Sequence, residues 1–140
     1  MTPTLEHANL TVRDLDAALA FLQAAVPGWQ VRGEGRMDWY GKPIRWVHLG
    51  DAQQYIALQS GGEGPLPAWA GHALGVKHLG LVVDDLDAAV ARLAAIGHAV
   101  DHPGGDGLRR RAAYFSPDDL VQIELVQYLD ADPAVRNHYG

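Results

Sequence analysis

The words "EHANLTVRDLDAA" (6–18) return 71 residues later as "KHLGLVVDDLDAA" (77–89). Residues 5–22 laid over 76–93 share 10 identities in 18 positions. His7 meets His78, Leu10 meets Leu81, Val12 meets Val83, and Asp14 to Ala18 meet Asp85 to Ala89. A second echo follows in each half, "YIALQ" (55–59) against "IELVQ" (123–127). A chain of 140 residues that repeats itself this way is two copies of one small module. Module one runs over about 4–59 and module two over about 76–128, with a polar tail at 129–140. Between them "SGGEGPLPAWAGHALG" (60–75) has the Gly and Pro content of a connector, long enough to cover something. The length suits one domain built from both modules, 1–140.

Each module opens with a strand and passes at once into a helix. Asp14 and Asp85 are placed to cap the helices, because a carboxylate there accepts the orphan N–H bonds of the first turn. Leu15, Ala18, Leu19, Leu22 and Val26 form one apolar stripe, and Leu86, Ala89, Val90 and Leu93 form the other. Pro27-Gly28 stops the first helix and Gly97 the second. Three shorter strands follow in each half, expected at 29–34, 44–49 and 53–59, then at 98–102, 109–115 and 121–128. Trp39-Tyr40-Gly41 reads as a hairpin tip. The fold class is α+β: two tandem βαβββ modules forming a curved, partly closed mixed sheet around a cavity.

Strand side chains alternate between faces. Ala8, Leu10 and Val12 suit the first helix, leaving His7, Asn9 and Thr11 opposite. Leu79, Leu81 and Val83 suit the second, leaving His78, Gly80 and Val82 opposite. On the last strand Val121, Ile123 and Leu125 are the core set, and Glu124 lies with Gln122 and Val126. His7, His78 and Glu124 therefore all sit on faces turned away from the helices. Two imidazoles and one carboxylate meeting there would bind a divalent metal and leave coordination positions open. A cost attaches to a buried ionised Glu unless a cation or a metal pairs with it. Tyr114, on the seventh strand, is a candidate hydrogen-bond donor or proton relay, and His48 a candidate base or substrate contact. Asn9, Trp46, Gln54 and Ile56 are expected to line the substrate pocket, within an aromatic group that includes Trp29, Trp39, Tyr40 and Tyr55. Trp69 in the connector fits a lid or an interface plug.

Several function classes are excluded. A net charge of −6 opposes binding to a nucleic-acid backbone, and Arg109-Arg110-Arg111 is too short a basic run to offset it. With no cysteine there is neither a disulfide nor a thiolate site. No apolar run approaches the roughly 20 residues of a membrane span. The N-terminus lacks the pattern of a secretory leader, so the expected location is the cytoplasm.

"LEHANLTVRDLDAALAFL", "VKHLGLVVDDLDAA" and "AAYFSPDDLVQIELVQ" together resemble the vicinal oxygen chelate superfamily, the glyoxalase, bleomycin-resistance and extradiol-dioxygenase group. The resemblance reaches to about Tyr128; Asp119 departs from it, standing where the group usually has Gly. It implies a metal centre on His7, His78 and Glu124, holding Fe, Mn, Zn, Ni or Co. Glyoxalases of the group usually add a carboxylate on the fourth strand. Matching "YIALQ" to "IELVQ" puts Ile56 at the counterpart of Glu124, and Ile cannot ligate. A His-His-Glu set is more similar to extradiol dioxygenases or to the small fosfomycin-resistance thiol transferases. The alternative is a metal-free protein of the bleomycin-resistance type that sequesters a drug or metabolite. The resemblance also implies a small-molecule ligand and a homodimer, in which modules are sometimes exchanged.

Overall fold

The computed structural model describes residues 1–105, 107 and 109–139. The last residue of the expected tail, Gly140, lies outside them. The chain divides into two compact units, Met1–Leu66 and Pro67–Gly140, so the division falls inside the connector.

The first unit contains β1 (His7–Thr11), α1 (Leu15–Ala25), β2 (Gln30–Trp39), β3 (Lys42–Gly50) and β4 (Tyr55–Gln59). Its four strands form one mixed sheet in the order β1-β4-β3-β2. The second unit contains β5 (His78–Val82), α2 (Leu86–Ala95), β6 (His102–Pro103), β7 (Arg110–Phe115), β8 (Gln122–Tyr128) and a terminal turn of helix, α3 (Pro133–Arg136). Its sheet repeats the same order, β5-β8-β7-β6. In both, the opening strand runs parallel to the fourth and the remaining pairs are antiparallel. The fold is α+β, as the doubled βαβββ pattern requires.

Local chemistry accounts for the elements. Asp14 and Asp85 cap their helices by accepting the backbone N–H of Ala17 and Ala88 at 2.9 and 3.0 Å. Helix α2 ends in a Schellman motif: Gly97 N–H bonds Ala94 O, His98 N–H bonds Leu93 O, and Gly97 takes φ +91°. One face of each helix lies in a core. Leu15, Ala18, Phe21, Leu22 and Ala25 are buried in the first unit with Val47, Leu49, Ile56 and Leu58. Leu86, Ala89 and Leu93 are buried in the second, which also buries Phe115, Ile123 and Leu125. Leu19 and Val90, expected in the stripes, are half-buried at their edges. Ion pairs also tie each helix to the third strand of its unit, Arg45–Asp16 at 2.8 Å and Arg111–Asp87 at 2.9 Å.

Several strand limits differ from expectation. β2 and β3 extend to the turn at Tyr40-Gly41, where φ is +46° and +89°. The segment 32–39 is polar and holds two glycines, so it carries no core signal; the sheet extends there as an exposed ribbon held by backbone pairing. β4 begins at Tyr55 because Asp51 Oδ1 first captures the N–H groups of Gln53 and Gln54 in a tight turn. β6 is only two residues, His102–Pro103, where 98–102 was expected, because Gly97 and His98 are still finishing the helix cap.

Candidate functional site

The strand registers decide which side chains share a face. In the first unit His7 lies opposite Tyr55, Asn9 opposite Ala57, His48 opposite Ala57, and Trp46 opposite Gln59. His7, Asn9, Trp46, His48, Tyr55 and Gln59 therefore occupy the face turned away from α1. In the second unit His78 lies opposite Gln122, Gly80 opposite Glu124, and Glu124 opposite Tyr114, while Tyr114 also pairs with His102. Arg110, Tyr114, His78 and Glu124 accordingly share the face away from α2.

The registers correct one equivalence. Val12 N–H bonds Gln59 O, and its repeat partner Val83 bonds Val126 O. Gln59 thus corresponds to Val126, and Glu124 corresponds to Ala57 rather than Ile56. Ile56 is buried on the helix side of the sheet, and Gln54 precedes β4 in the Asp51 turn. The five-residue echo misled by one position, and one position on a strand reverses the face. Ala57 cannot ligate either, so the fourth strand still supplies no carboxylate.

Around Glu124 the second unit builds a tight polar group. His78 Nε2 lies 3.2 Å from Glu124 Oε2, and Arg110 Nη2 lies 3.3 Å from Oε1. The Glu124 side chain is only 8% exposed. Tyr114 donates its phenol hydrogen bond to Glu124, and its pKa lies above the usual tyrosine value. Burial is the largest cause of that rise, then the carboxylate's charge and hydrogen bond, with Arg110 acting against them. The Tyr114 ring is edge-on to His78, with centroids 5.3 Å apart, and flat against His102. Trp69 covers the other end of this column, stacked on His102 at 4.5 Å. Asp101 Oδ2 holds His102 Nδ1 at 2.9 Å. A Cβ at Gly80 would sit 3.9 Å from Glu124 Oε2, at ordinary van der Waals distance.

In the first unit His7 is half exposed, with Nδ1 hydrogen-bonded to Glu6 at 2.9 Å and its ring stacked on Tyr55 at 4.7 Å. A carboxylate on Nδ1 fixes the tautomer that leaves the Nε2 lone pair free, as for many metal-bound histidines. Tyr55 also stacks with His48 at 4.5 Å and lies under the Arg32 guanidinium at 4.6 Å. His48 has a pKa below the usual histidine value: burial lowers it most, then the nearby His7 and Arg32, against Glu6. Beyond His48, a cavity of about 210 Å³ opens between Asn9, Met37, Trp39, Trp46 and Gln59. The Trp46 indole lies over Gly33 and Gly35, so close that a Cβ at Gly35 would meet it at 2.9 Å. Asn9 and Trp46 line this cavity, and Gln54 and Ile56 do not.

No three His, Asp or Glu side chains are gathered into a metal site among the described residues. His7 presents a free imidazole nitrogen. The 3.2 Å between His78 Nε2 and Glu124 Oε2 suits two ligands of one ion, whose bonds of about 2.1 Å place neighbouring donors about 3 Å apart. Arg110, Arg32, Gln59 and His102 also stand on or beside these faces, and the sequence did not single them out. Arg110 has a usable signal, since 110, 112 and 114 alternate onto one face, but its place in a basic run masks it.

The family model of the Glyoxalase/Bleomycin resistance protein/Dioxygenase superfamily matches residues 6–115, and the chain belongs to that superfamily. Solved structures share the fold at low identity. A glyoxalase family protein from Bacillus cereus superposes with a TM-score of 0.73 at 18% identity, covering 93% of this chain and 97% of that one. A glyoxylase/bleomycin resistance protein/dioxygenase domain from Frankia sp. EAN1pec gives 0.71 at 24%, covering 91% and 99%. The fosfomycin resistance protein FosX from Listeria monocytogenes, complexed with Mn(II) and sulfate ion, gives 0.65 at 19%, covering 99% and 100%. No functionally curated protein gives a significant sequence match. Among the described residues no helix is long and apolar enough to cross a membrane.

Proposed function

We propose that this protein is a metal-dependent enzyme acting on a small molecule, with His7, His78 and Glu124 as the metal ligands. The observation that carries the reading is the buried Glu124 carboxylate set 3.2 Å from His78 Nε2 on adjacent strands. Support also comes from the His7 tautomer that Glu6 imposes and from a relative of the same fold complexed with Mn(II). The bound ion, of Fe, Mn, Zn, Ni or Co, would act as Lewis acid on two substrate oxygens and stabilise the charge that develops there. The chain's own residues supply the rest. Tyr114 holds a proton on the edge of the site, His48 stands by as a partly desolvated base, and Asn9 and Trp46 orient the substrate. The His-His-Glu set, with no carboxylate on β4, aligns the chain with ring-opening dioxygenases or thiol transferases of the superfamily. The reading takes the two units as one domain, a homodimeric assembly and a cytoplasmic location.

A second reading rests on Arg110. Its guanidinium and His78 already pair with both oxygens of Glu124, so the carboxylate is compensated with no ion. On that reading the protein binds a flat drug or metabolite without metal. Elemental analysis of protein purified without chelator separates the two. Stoichiometric metal that falls sharply in His7→Ala and Glu124→Gln supports the enzyme; metal no higher in wild type than in those variants refutes it.

A further inference from the structure

Arg32 is the extra residue of a β-bulge between Val31 and Gly33, left out of the ladder to β3. A bulge re-aims a side chain, and here the guanidinium lies over the Tyr55 ring, on the face that carries His7 and His48. Arg45 of the same sheet is paired with Asp16 on the helix side. Glu6 is bonded to His7 on the opposite face. Among the described residues no carboxylate pairs with the Arg32 guanidinium, whose flat side rests on the Tyr55 phenol. Next to it, in order across the sheet, come Tyr55, His48 and then Trp46, whose indole floors the cavity that Met37 and Trp39 wall. Met37 and Trp39 are both more than two-fifths exposed, so their apolar surface is open to a ligand. Asn9 and Gln59 contribute amides, joined to each other at 3.4 Å.

From this placement we propose that the open face of the first sheet binds a small organic anion. Its flat apolar body lies on Trp46 and Trp39, and its anionic head passes His48 to reach Arg32. A guanidinium offers a fork that fits a carboxylate or phosphonate. The inference rests on the reading that this face receives substrate, and it adds the substrate's chemical class and the residue that selects its charge.

The probes are 2-naphthoate and 2-naphthamide, which share a ring system and differ in head-group charge. Binding is followed by tryptophan fluorescence and calorimetry on the full chain in EDTA. Wild type binds the naphthoate at least about tenfold more tightly, the size of a charge-assisted hydrogen bond. Arg32→Gln abolishes that preference and leaves naphthamide unchanged; Arg32→Lys retains part of it. Trp39→Leu, at an exposed position that spares the fold, weakens both ligands alike. Equal binding of the two probes, no binding of either, or an unaltered preference in Arg32→Gln overturns the inference. A preference that exists only when Mn(II) is added assigns the head group to the metal; that overturns the inference while upholding the proposed function. A preference kept in EDTA by a protein that takes up no metal upholds the inference and refutes the metal site.

Discussion

Tyr114 lies flat against His102, with ring centroids 4.5 Å apart and planes 8° from parallel. Trp69 closes the other face of His102, and Asp101 pins its Nδ1. The phenol that bonds Glu124 is thus held by a residue at the sheet edge and, through it, by the connector. His102→Ala should cost about 1 kcal/mol, the worth of a stacked pair beyond its buried area. It should also release the Tyr114 ring. Urea unfolding reads the first effect and ring NMR of labelled tyrosine the second; His102→Phe should restore the ring's order but not the tie to Asp101.

Arg110 and a divalent ion compete for the same carboxylate if the metal reading holds. Arg110→Gln should then raise the affinity for Mn(II), seen as a larger rise in Tm on adding the ion than wild type shows. Metal-free, the same variant should melt lower than wild type, because Glu124 loses one compensating charge. An Mn(II) response identical in the two proteins would mean that Arg110 does not contest the ion's place.

Gly50 is fixed by steric exclusion. A Cβ there would lie 2.0 Å from Gln54 O and 2.5 Å from Tyr55 Cα, backbone atoms of the turn into β4. Gly50→Ala should destabilise by about 3 kcal/mol, the upper range for overpacking. Thermal and urea unfolding test this, and the loss should exceed that of Gly28→Ala, where a Cβ meets nothing within 4 Å.

Asp51 makes the turn before β4 sensitive to acid. Hydrogen bonds from the Gln53 and Gln54 N–H groups, aided by the Gln54 amide and the Trp29 indole, lower its pKa below 3.8. A depressed carboxylate stabilises the fold while ionised, at pH values above its unfolded pKa, and that contribution fades as pH falls through the folded value. Wild type should therefore exceed Asp51→Ala in urea midpoint at pH 6, and the gap should close as the pH is taken below 3.8. A gap that stays constant down to pH 2 would show that the charge plays no part.

Much of this protein was written in its sequence because the signals are local and periodic. A capping Asp, an apolar stripe and a Gly stop define each helix within a dozen residues. Strand alternation put His7, His78 and Glu124 on faces away from the helices, and the duplication made each half corroborate the other. The matched family model and the similar solved structures agree with that architecture. Register was different. "YIALQ" and "IELVQ" align by eye one residue away from their true equivalence, and only the backbone bonds of Val12 and Val83 show that Ala57 answers to Glu124. Nor could spacing reveal that Arg110 reaches Glu124, that a bulge lifts Arg32 over Tyr55, or that Trp69 stacks on His102. Those contacts join residues distant in the chain, or hinge on one unpaired position in a ladder. Local propensity carries no information about either, because they are settled only when strands have chosen their partners.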